Sequence, residues 1–157
     1  MKEAILILFG FVLAFVPNWL DRKRKLRAHW HAINAELSLI EEKADAYIDH
    51  GIMAPLYRLP HKTYDSSFQM LLTEGAITGE EVISIERFYD LVKDINRGLD
   101  QIQEYLVQDN KEGINREYSR NKLKVLELNV GTSEAEALKH AVINIVKIKC
   151  NLKLVQY

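Results

Sequence analysis

The sequence predicts an all-α protein in which an N-terminal transmembrane helix is followed by an antiparallel helical hairpin or bundle of four to five helices. An uncharged apolar stretch runs from Ala4 to Leu20. In much of the remaining chain, apolar residues recur at alternating steps of three and four, as on one face of a helix. No segment has the apolar–polar alternation or the Asn-Gly turn of a β-hairpin. We therefore divide the chain into a transmembrane anchor (1–20), a basic juxtamembrane collar (21–27) and a helical bundle domain (28–157).

The apolar stretch has the composition of a single-pass anchor. Eleven of its seventeen residues are Leu, Ile, Phe or Val, each of which favours insertion by about 0.3 to 0.6 kcal/mol. As a helix it would span about 25 Å, enough for a bilayer if Trp19 lies at the interface and Lys2 reaches the surface. A cleaved signal peptide is the first alternative, but the candidate cleavage motif Ala14-Phe15-Val16 is followed by Pro17 and by the collar. An interfacial helix is the second alternative.

The charge of the collar predicts the orientation. Five basic residues against one Asp give it a net charge of +4, and the positive flank of a membrane helix stays in the cytoplasm. We therefore expect the N-terminus outside and the C-terminal domain in the cytosol, at the plasma membrane or, in a bacterium, the inner membrane. The collar would meet the bilayer and its anionic head groups. The expected membrane-surface contacts are Trp19, Arg22, Lys23, Arg24, Lys25 and Arg27.

Composition limits what the rest of the chain could do. The formal net charge is −1, and subtracting the +4 collar and the neutral first three residues leaves −5 for residues 28–157. Nucleic-acid binding is not expected, because no aromatic platform or second basic strip accompanies the collar. Cys150 is the single cysteine, which excludes an intramolecular disulfide and a cysteine-rich metal site. Nearby lysines could lower the pKa of its thiol, but a structural role is expected.

The first helix of the bundle should continue from the anchor. Its apolar residues have the spacing of a coiled-coil or bundle face, and Gly51 is placed to cap its end. A new helix starting in the collar would have basic residues opposing its dipole. We therefore expect near-continuity, with Pro17 as a kink. The expected buried line is Leu26, Trp30, Ile33, Leu37, Ile40, Ala44 and Tyr47.

A second long helix should begin at Thr78, because Thr78 and Glu81 have the spacing of a capping box. Two helices of about thirty residues each are expected to lie antiparallel as a hairpin. A short helix over Tyr64–Glu74, capped by Gly75, is expected between them. The expected buried line of the second long helix is Ile85, Phe88, Val92, Ile95, Leu99, Ile102 and Leu106.

Two further helices complete the bundle. One covers Ile114–Asn129, and its basic face is expected to meet the acidic second helix. The last one begins at Ser133, which could form a capping box with Glu136. The expected buried line of the last helix is Leu138, Ala141, Ile145, Ile148, Leu152 and Val155.

No residue is predicted to be catalytic, to bind a cofactor or to ligate a metal, and we do not expect an enzyme. The glycines form neither GxGxxG nor GxxxxGK[ST], the usual phosphate loops. No Glu precedes a His at the three-residue spacing of di-iron bundles. His29 and His31 point to different sides of a helix, and Glu136 and His140 are read as part of a solvated face.

Two places suggest contact with a ligand or partner. The connection Gly51–Lys62 is rich in apolar residues and holds two prolines, so it is either a cap over the end of the bundle or an element held out for a partner. We favour the cap, closed by Leu56, Tyr57 and Leu59. Gly98 is unfavourable in mid-helix unless another helix approaches closely, and Arg97 beside it could anchor a carboxylate or phosphate. The candidate contacts are Arg97, Tyr57 and Arg58.

The leading hypothesis is a single-pass, cytosol-facing helical bundle that acts as an interaction or scaffold protein for a protein partner or for itself. A small-ligand or signal-sensing bundle is the alternative. A second alternative is a spanin-like helical envelope protein, because the anchor followed by a helical body is similar in layout and size to phage inner spanins. The collar predicts the opposite orientation, and the prolines of the 51–62 connection would interrupt a spanin-like rod.

Overall fold

A computed structural model describes residues 2–51, 57–129 and 133–151, with side chains except those of 2–9, 11–14, 129 and 133–140. All regular structure within these ranges is helical, so the expected all-α bundle is confirmed. The helices are α1 (Lys2–His50), α2 (Gln69–Thr73), α3 (Gly79–Val107), α4 (Lys111–Asn129) and α5 (Ser133–Asn151), with a π-helical turn at Tyr64–Phe68 before α2.

None of the described helices combines the length and the apolar character that a membrane crossing requires. Many side chains of the expected anchor, those of residues 1–9 and 11–14, lie outside the described part. The anchor therefore stays a prediction.

α1 is one helix that continues through Pro17, as expected from the unfavourable charge of a new helix start. Six of the seven expected apolar residues are buried, from Trp30 to Tyr47, and Leu26 is partly buried against the same core. Gly51 ends the helix in the left-handed region at φ +60°, and its N–H donates to the carbonyl oxygen of Tyr47 at 3.1 Å. The predicted glycine cap is thus confirmed.

Residues 58–74 return along α1 towards its beginning. As the chain advances through this segment, its residues meet positions progressively earlier in α1. The successive pairs are Arg58 with Lys43, Thr63 with Glu36, Ser67 with His29 and Glu74 with Arg22. The short helix expected here is present, with a π-helical first turn, and Gly75 follows it at φ +63°.

α3 begins with the predicted capping box. The N–H of Thr78 donates to Glu81 Oε2 at 2.8 Å, and the N–H of Glu81 donates to Thr78 Oγ1 at 3.4 Å. Six of the seven expected line residues are buried. Leu106 is the exception at 56 % exposed, because it lies in the last turn of the helix.

α1 and α3 run in the same direction, so the antiparallel hairpin expected from the sequence is wrong. Glu36 meets Tyr89, and further along both helices Lys43 and Asp100 both bind Arg58. The physical reason is that residues 58–74 run antiparallel to α1 and bring the chain back to the level where α1 leaves the collar. α3 then starts near the beginning of the bundle and runs parallel to α1. α4 and α5 contact both α1 and α3.

α4 runs antiparallel to α3 and packs closely against it. Asn121 Nδ2 donates to the carbonyl oxygen of Ile95 at 3.1 Å, and Lys124 Nζ lies 3.0 Å from Asp94 Oδ2, a contact of the expected basic-to-acidic kind. A Cβ atom on Gly98 would lie only 2.5 Å from Asn121 Oδ1. The close helix approach predicted at Gly98 is therefore confirmed.

The buried face of α5 is shifted from the expected one, whose residues Ala141 and Ile145 are only partly buried. Val142, Val146 and Cys150 are buried, whereas Ile148 is 62 % exposed. Apolar residues occur on several faces between residues 141 and 148, so spacing alone does not select one line. Lys149 reinforces the observed orientation by donating to the carbonyl oxygen of Ala76 at 3.2 Å. The expected residues Leu138, Leu152 and Val155, and the cap at Ser133 and Glu136, fall outside the described side chains.

Candidate functional site

Asn96 fixes the segment that follows the 52–56 connection onto α3. The N–H of Leu59 donates to Asn96 Oδ1 at 2.8 Å, and Asn96 Nδ2 donates to the carbonyl oxygen of Leu59 at 2.8 Å. A buried amide that pairs with both polar groups of one backbone residue holds that residue in place. Leu59 is itself buried, as the cap interpretation expected, and Tyr57 is partly buried, whereas Leu56 lies outside the described residues.

Glu36 secures the next part of the segment. Its carboxylate is buried, and it accepts the N–H of Thr63 at 2.7 Å, the N–H of Tyr64 at 3.1 Å and the hydroxyl of Tyr89 at 2.9 Å. The two backbone donors belong to the first turn of a helix, where N–H groups lack helical partners. The carboxylate of Glu36 on α1 thus accepts the two backbone N–H groups that have no acceptor within their own helix.

Between this segment and α3 lies an open groove of about 490 Å³. We call it the cationic groove. One wall is residues 58–62, and the other is Lys93, Asn96, Arg97 and Asp100 of α3. Four of the described lining residues carry a positive charge and one carries a negative charge, which gives a local charge of +3 with histidine neutral. Arg58 and Arg97, predicted separately from the sequence, therefore meet at one site.

The cations of the groove have carboxylate neighbours at its edges. Arg58 pairs with Asp100 across the groove. Arg97 Nη1 lies 3.2 Å from Asp94 Oδ1, but Asp94 also accepts Lys124 at 3.0 Å. The hydrogen bond from Lys124 holds the pKa of Asp94 below its ordinary value, so Asp94 is fully ionised and divides its charge between two cations.

Lys93 is turned towards an aromatic ring as well as a carboxylate. Its Nζ lies 3.5 Å from Asp65 Oδ1 and 4.7 Å from the centre of the Tyr64 ring. Lys62 forms no ion pair within the described ranges. The four cations are therefore only partly neutralised.

The predicted membrane-surface residues lie on the first part of α1, away from the groove. Trp19 is exposed, and Lys23 Nζ lies 4.0 Å from the centre of its ring. Arg22 Nε lies 2.6 Å from Glu74 Oε2, so this collar residue also fastens α1 to the end of α2. Lys25 pairs with Asp21 at 3.0 Å. Arg24 and Arg27 are exposed.

The described part of the chain contains no group of three or more His, Cys, Asp or Glu side chains placed to hold a metal ion. Burial raises the pKa of the Cys150 thiol above its ordinary value, against a smaller opposite effect of Arg27. The lysines near it in sequence therefore do not lower its pKa as they could have done. His29 Nδ1 lies 3.1 Å from Ser67 Oγ.

Asn96 and Glu36, which shape the groove, were not singled out by sequence analysis. Asn96 binds the backbone of an irregular segment and Glu36 binds the first turn of a short helix. Neither contact produces a repeating pattern in the sequence. A weak signal exists for Glu36, since it lies between Ile33 and Ile40 on the side of α1 that faces the core. An acidic residue on such a face requires buried partners.

No protein-family model, curated protein or solved structure is significantly similar to this chain.

Proposed function

We propose that this protein is a non-enzymatic helical interaction protein that a membrane holds by the first part of α1. The observation that carries the proposal is an exposed apolar stretch of α1 next to the basic collar. Phe15, Val16 and Trp19 are exposed, whereas the buried line of α1 begins only at Trp30. Apolar surface of this kind marks contact with a membrane or a partner.

The residues around Trp19 suit a membrane surface. Tryptophan is enriched at the level of the lipid head groups, and basic residues next to it gain about 1 kcal/mol each near anionic lipids. Lys23, above the Trp19 ring, brings both features together. The +4 charge of the collar favours a cytosolic bundle and an external N-terminus.

The bundle would stand close to the membrane. Arg22 follows Trp19 by three residues, less than one helical turn. Its guanidinium binds both the carboxylate and the backbone oxygen of Glu74. The base of the bundle is thereby fastened to α1 at the level of the expected head groups.

The other end of the bundle offers a surface for interaction. Leu106 and Val107 close α3 and are 56 and 83 % exposed. Scaffold proteins present apolar side chains of this kind to a protein partner or to a second copy of themselves. This surface is the proposed contact of the interaction role.

The membrane proposal is tested by alkaline carbonate extraction of membranes that contain the full chain. We expect the protein to stay in the membrane fraction. Phe11→Asp places a charge in the middle of the apolar stretch, where it costs about 2.5 to 3.5 kcal/mol, and should release the protein. Ile148→Asp is the matched control, because it adds the same charge at an exposed apolar position of α5. A reporter fused after Tyr157 should be cytosolic.

Extraction of the unchanged protein by carbonate would contradict membrane insertion. Retention of the Phe11→Asp variant would show that the apolar stretch is not what holds the protein. An external reporter would contradict the orientation alone.

A second candidate function is a bundle that senses a small ligand. The specific observation in its favour is the cationic groove, where Arg58 and Arg97 lie on opposite walls.

A further inference from the structure

We infer that the cationic groove binds a small soluble ligand through a phosphate or carboxylate group. This inference rests on the second candidate function; anion binding in the groove does not depend on membrane attachment, whereas the assignment of the ligand to solution uses the expected position of the membrane. Its basis is a local charge of +3 on a domain whose formal charge is −5. Charges further away than about 8 to 10 Å are largely screened in physiological salt. A small anion in the groove therefore interacts mainly with the four cations that line it and with the carboxylates of Asp65, Asp94 and Asp100 beside them, which neutralise the cations only in part.

The groove is held open by one buried pair of hydrogen bonds and one exposed hydrogen bond. Asn96 pairs with both backbone groups of Leu59, and Lys43 Nζ donates to the carbonyl oxygen of Arg58 at 2.8 Å. The wall that carries Arg58 is thus fixed from two sides. A preformed site avoids the cost of ordering a loop when the ligand binds.

The cations have the chemistry that an oxyanion requires. Guanidinium groups bind carboxylate or phosphate oxygens in pairs, and ammonium groups add point charges. Arg97 is 73 % exposed in its side chain and shares the carboxylate of Asp94 with Lys124. Its guanidinium can therefore turn its remaining nitrogen donors to a ligand while the carboxylate of Asp94 keeps its contact with Lys124.

The neighbouring helix start does not compete for the same anion. The first-turn N–H groups of Thr63 and Tyr64 already donate to Glu36, so the side chains of the groove provide the binding. A volume of about 490 Å³ lies within the range of small-molecule sites.

A lipid head group is disfavoured as the source of the anion. Lys43, which holds the groove wall, follows Leu20 by 23 residues along the continuous helix α1. At 1.5 Å per residue this is roughly 35 Å from the expected edge of the membrane. The ligand should therefore come from solution.

The test uses the full chain in lipid nanodiscs made of phosphatidylcholine alone. Inorganic phosphate and succinate are titrated separately by calorimetry at low salt. We expect at least one of the two probes to bind at millimolar concentration or below. Arg97→Gln should weaken that binding by about tenfold or more, equivalent to 1.4 kcal/mol.

Two variants separate a specific site from general charge. Arg116→Gln removes the same charge at an exposed position of α4 outside the groove, and should change affinity less than about twofold, which is less than 0.5 kcal/mol. Asp100→Asn removes the one carboxylate among the described lining residues, and should tighten binding several-fold. A gain of this kind cannot come from a damaged fold.

Failure of both probes to bind would overturn the inference. So would equal losses in Arg97→Gln and Arg116→Gln, or an unchanged affinity in Asp100→Asn. Nanodiscs that also contain phosphatidylserine should leave the affinity for the soluble probe unchanged. Competition by that lipid would show a head-group site and overturn the assignment to a soluble ligand. The carbonate extraction has no part in these outcomes, so failure of the two proposals can be distinguished.

Discussion

Removal of the Glu36 carboxylate should be among the most damaging single changes in the bundle. Glu36→Ala would leave three donors without their acceptor: the N–H groups of Thr63 and Tyr64 and the hydroxyl of Tyr89. An unsatisfied buried donor costs about 1 to 3 kcal/mol. Water can reach Thr63, which is only partly buried, so we expect a total loss of about 3 to 5 kcal/mol. This is a large share of the 5 to 15 kcal/mol that is typical of a folded domain.

The measurement is denaturant unfolding of the full chain in a mild detergent, followed by circular dichroism. Glu42→Ala is the matched control, since Glu42 is exposed on the same helix and should change stability by less than about 0.5 kcal/mol. Glu36→Gln keeps one carbonyl oxygen but turns an amide nitrogen towards backbone donors, and should cost about 1 to 3 kcal/mol. If Glu36→Ala were no more destabilising than Glu42→Ala, the proposed role of the carboxylate would be refuted.

The same unfolding assay checks three further predictions. Ile95→Ala should cost about 2 to 5 kcal/mol, because Ile95 is fully buried and its truncation leaves a cavity. Gly98→Ala should lower stability by about 1 kcal/mol, because crowding of Asn121 outweighs a gain of about 1 kcal/mol in helix propensity. Gly79→Ala is the control, since a Cβ atom there has open space, and it should be neutral or stabilising. Burial raises the pKa of Tyr89, so only the unfolded chain ionises this phenol just above its ordinary pKa of about 10, and stability should fall there by about 1.4 kcal/mol per pH unit. Tyr89→Phe should remove that contribution, and an unchanged slope would contradict it.

The apolar lines of α1 and α3 could be predicted because each helix carries a single line between polar faces. In α5 apolar residues lie on several faces, and the burial of Val142 and Val146 depends on the neighbours of that helix. The direction of α3 could not be predicted, because the 58–74 segment has no long repeating pattern. Its path is set by polar contacts such as those of Arg22 and Glu36 with residues far away in sequence.

In the candidate site, too, individual residues could be predicted from the sequence but their arrangement could not. Arg58 and Arg97 were singled out individually, one for its place in an unusual connection and one for its place beside a mid-helix glycine. Their meeting depends on the pairing of Asn96 with Leu59, which are 37 positions apart in the chain. Hydrogen bonds between a side chain and the backbone of a residue far away in sequence follow no spacing rule. The sequence therefore indicates individual residues of the groove but does not predict that they lie together.

Because α1 is one unbroken helix, the orientation of the bundle about the helix axis is fixed relative to the N-terminal residues. Each residue of an α-helix turns the chain by about 100°, and α1 continues from Lys2 through Pro17 to His50. Deleting one residue between Gly10 and Trp19 would therefore rotate the bundle by about 100° relative to whatever holds residues 2–9. Inserting seven residues would bring it back to within about 20°. The number of residues in this short stretch thus decides which side of the bundle, the cationic groove or the opposite one, faces a neighbour.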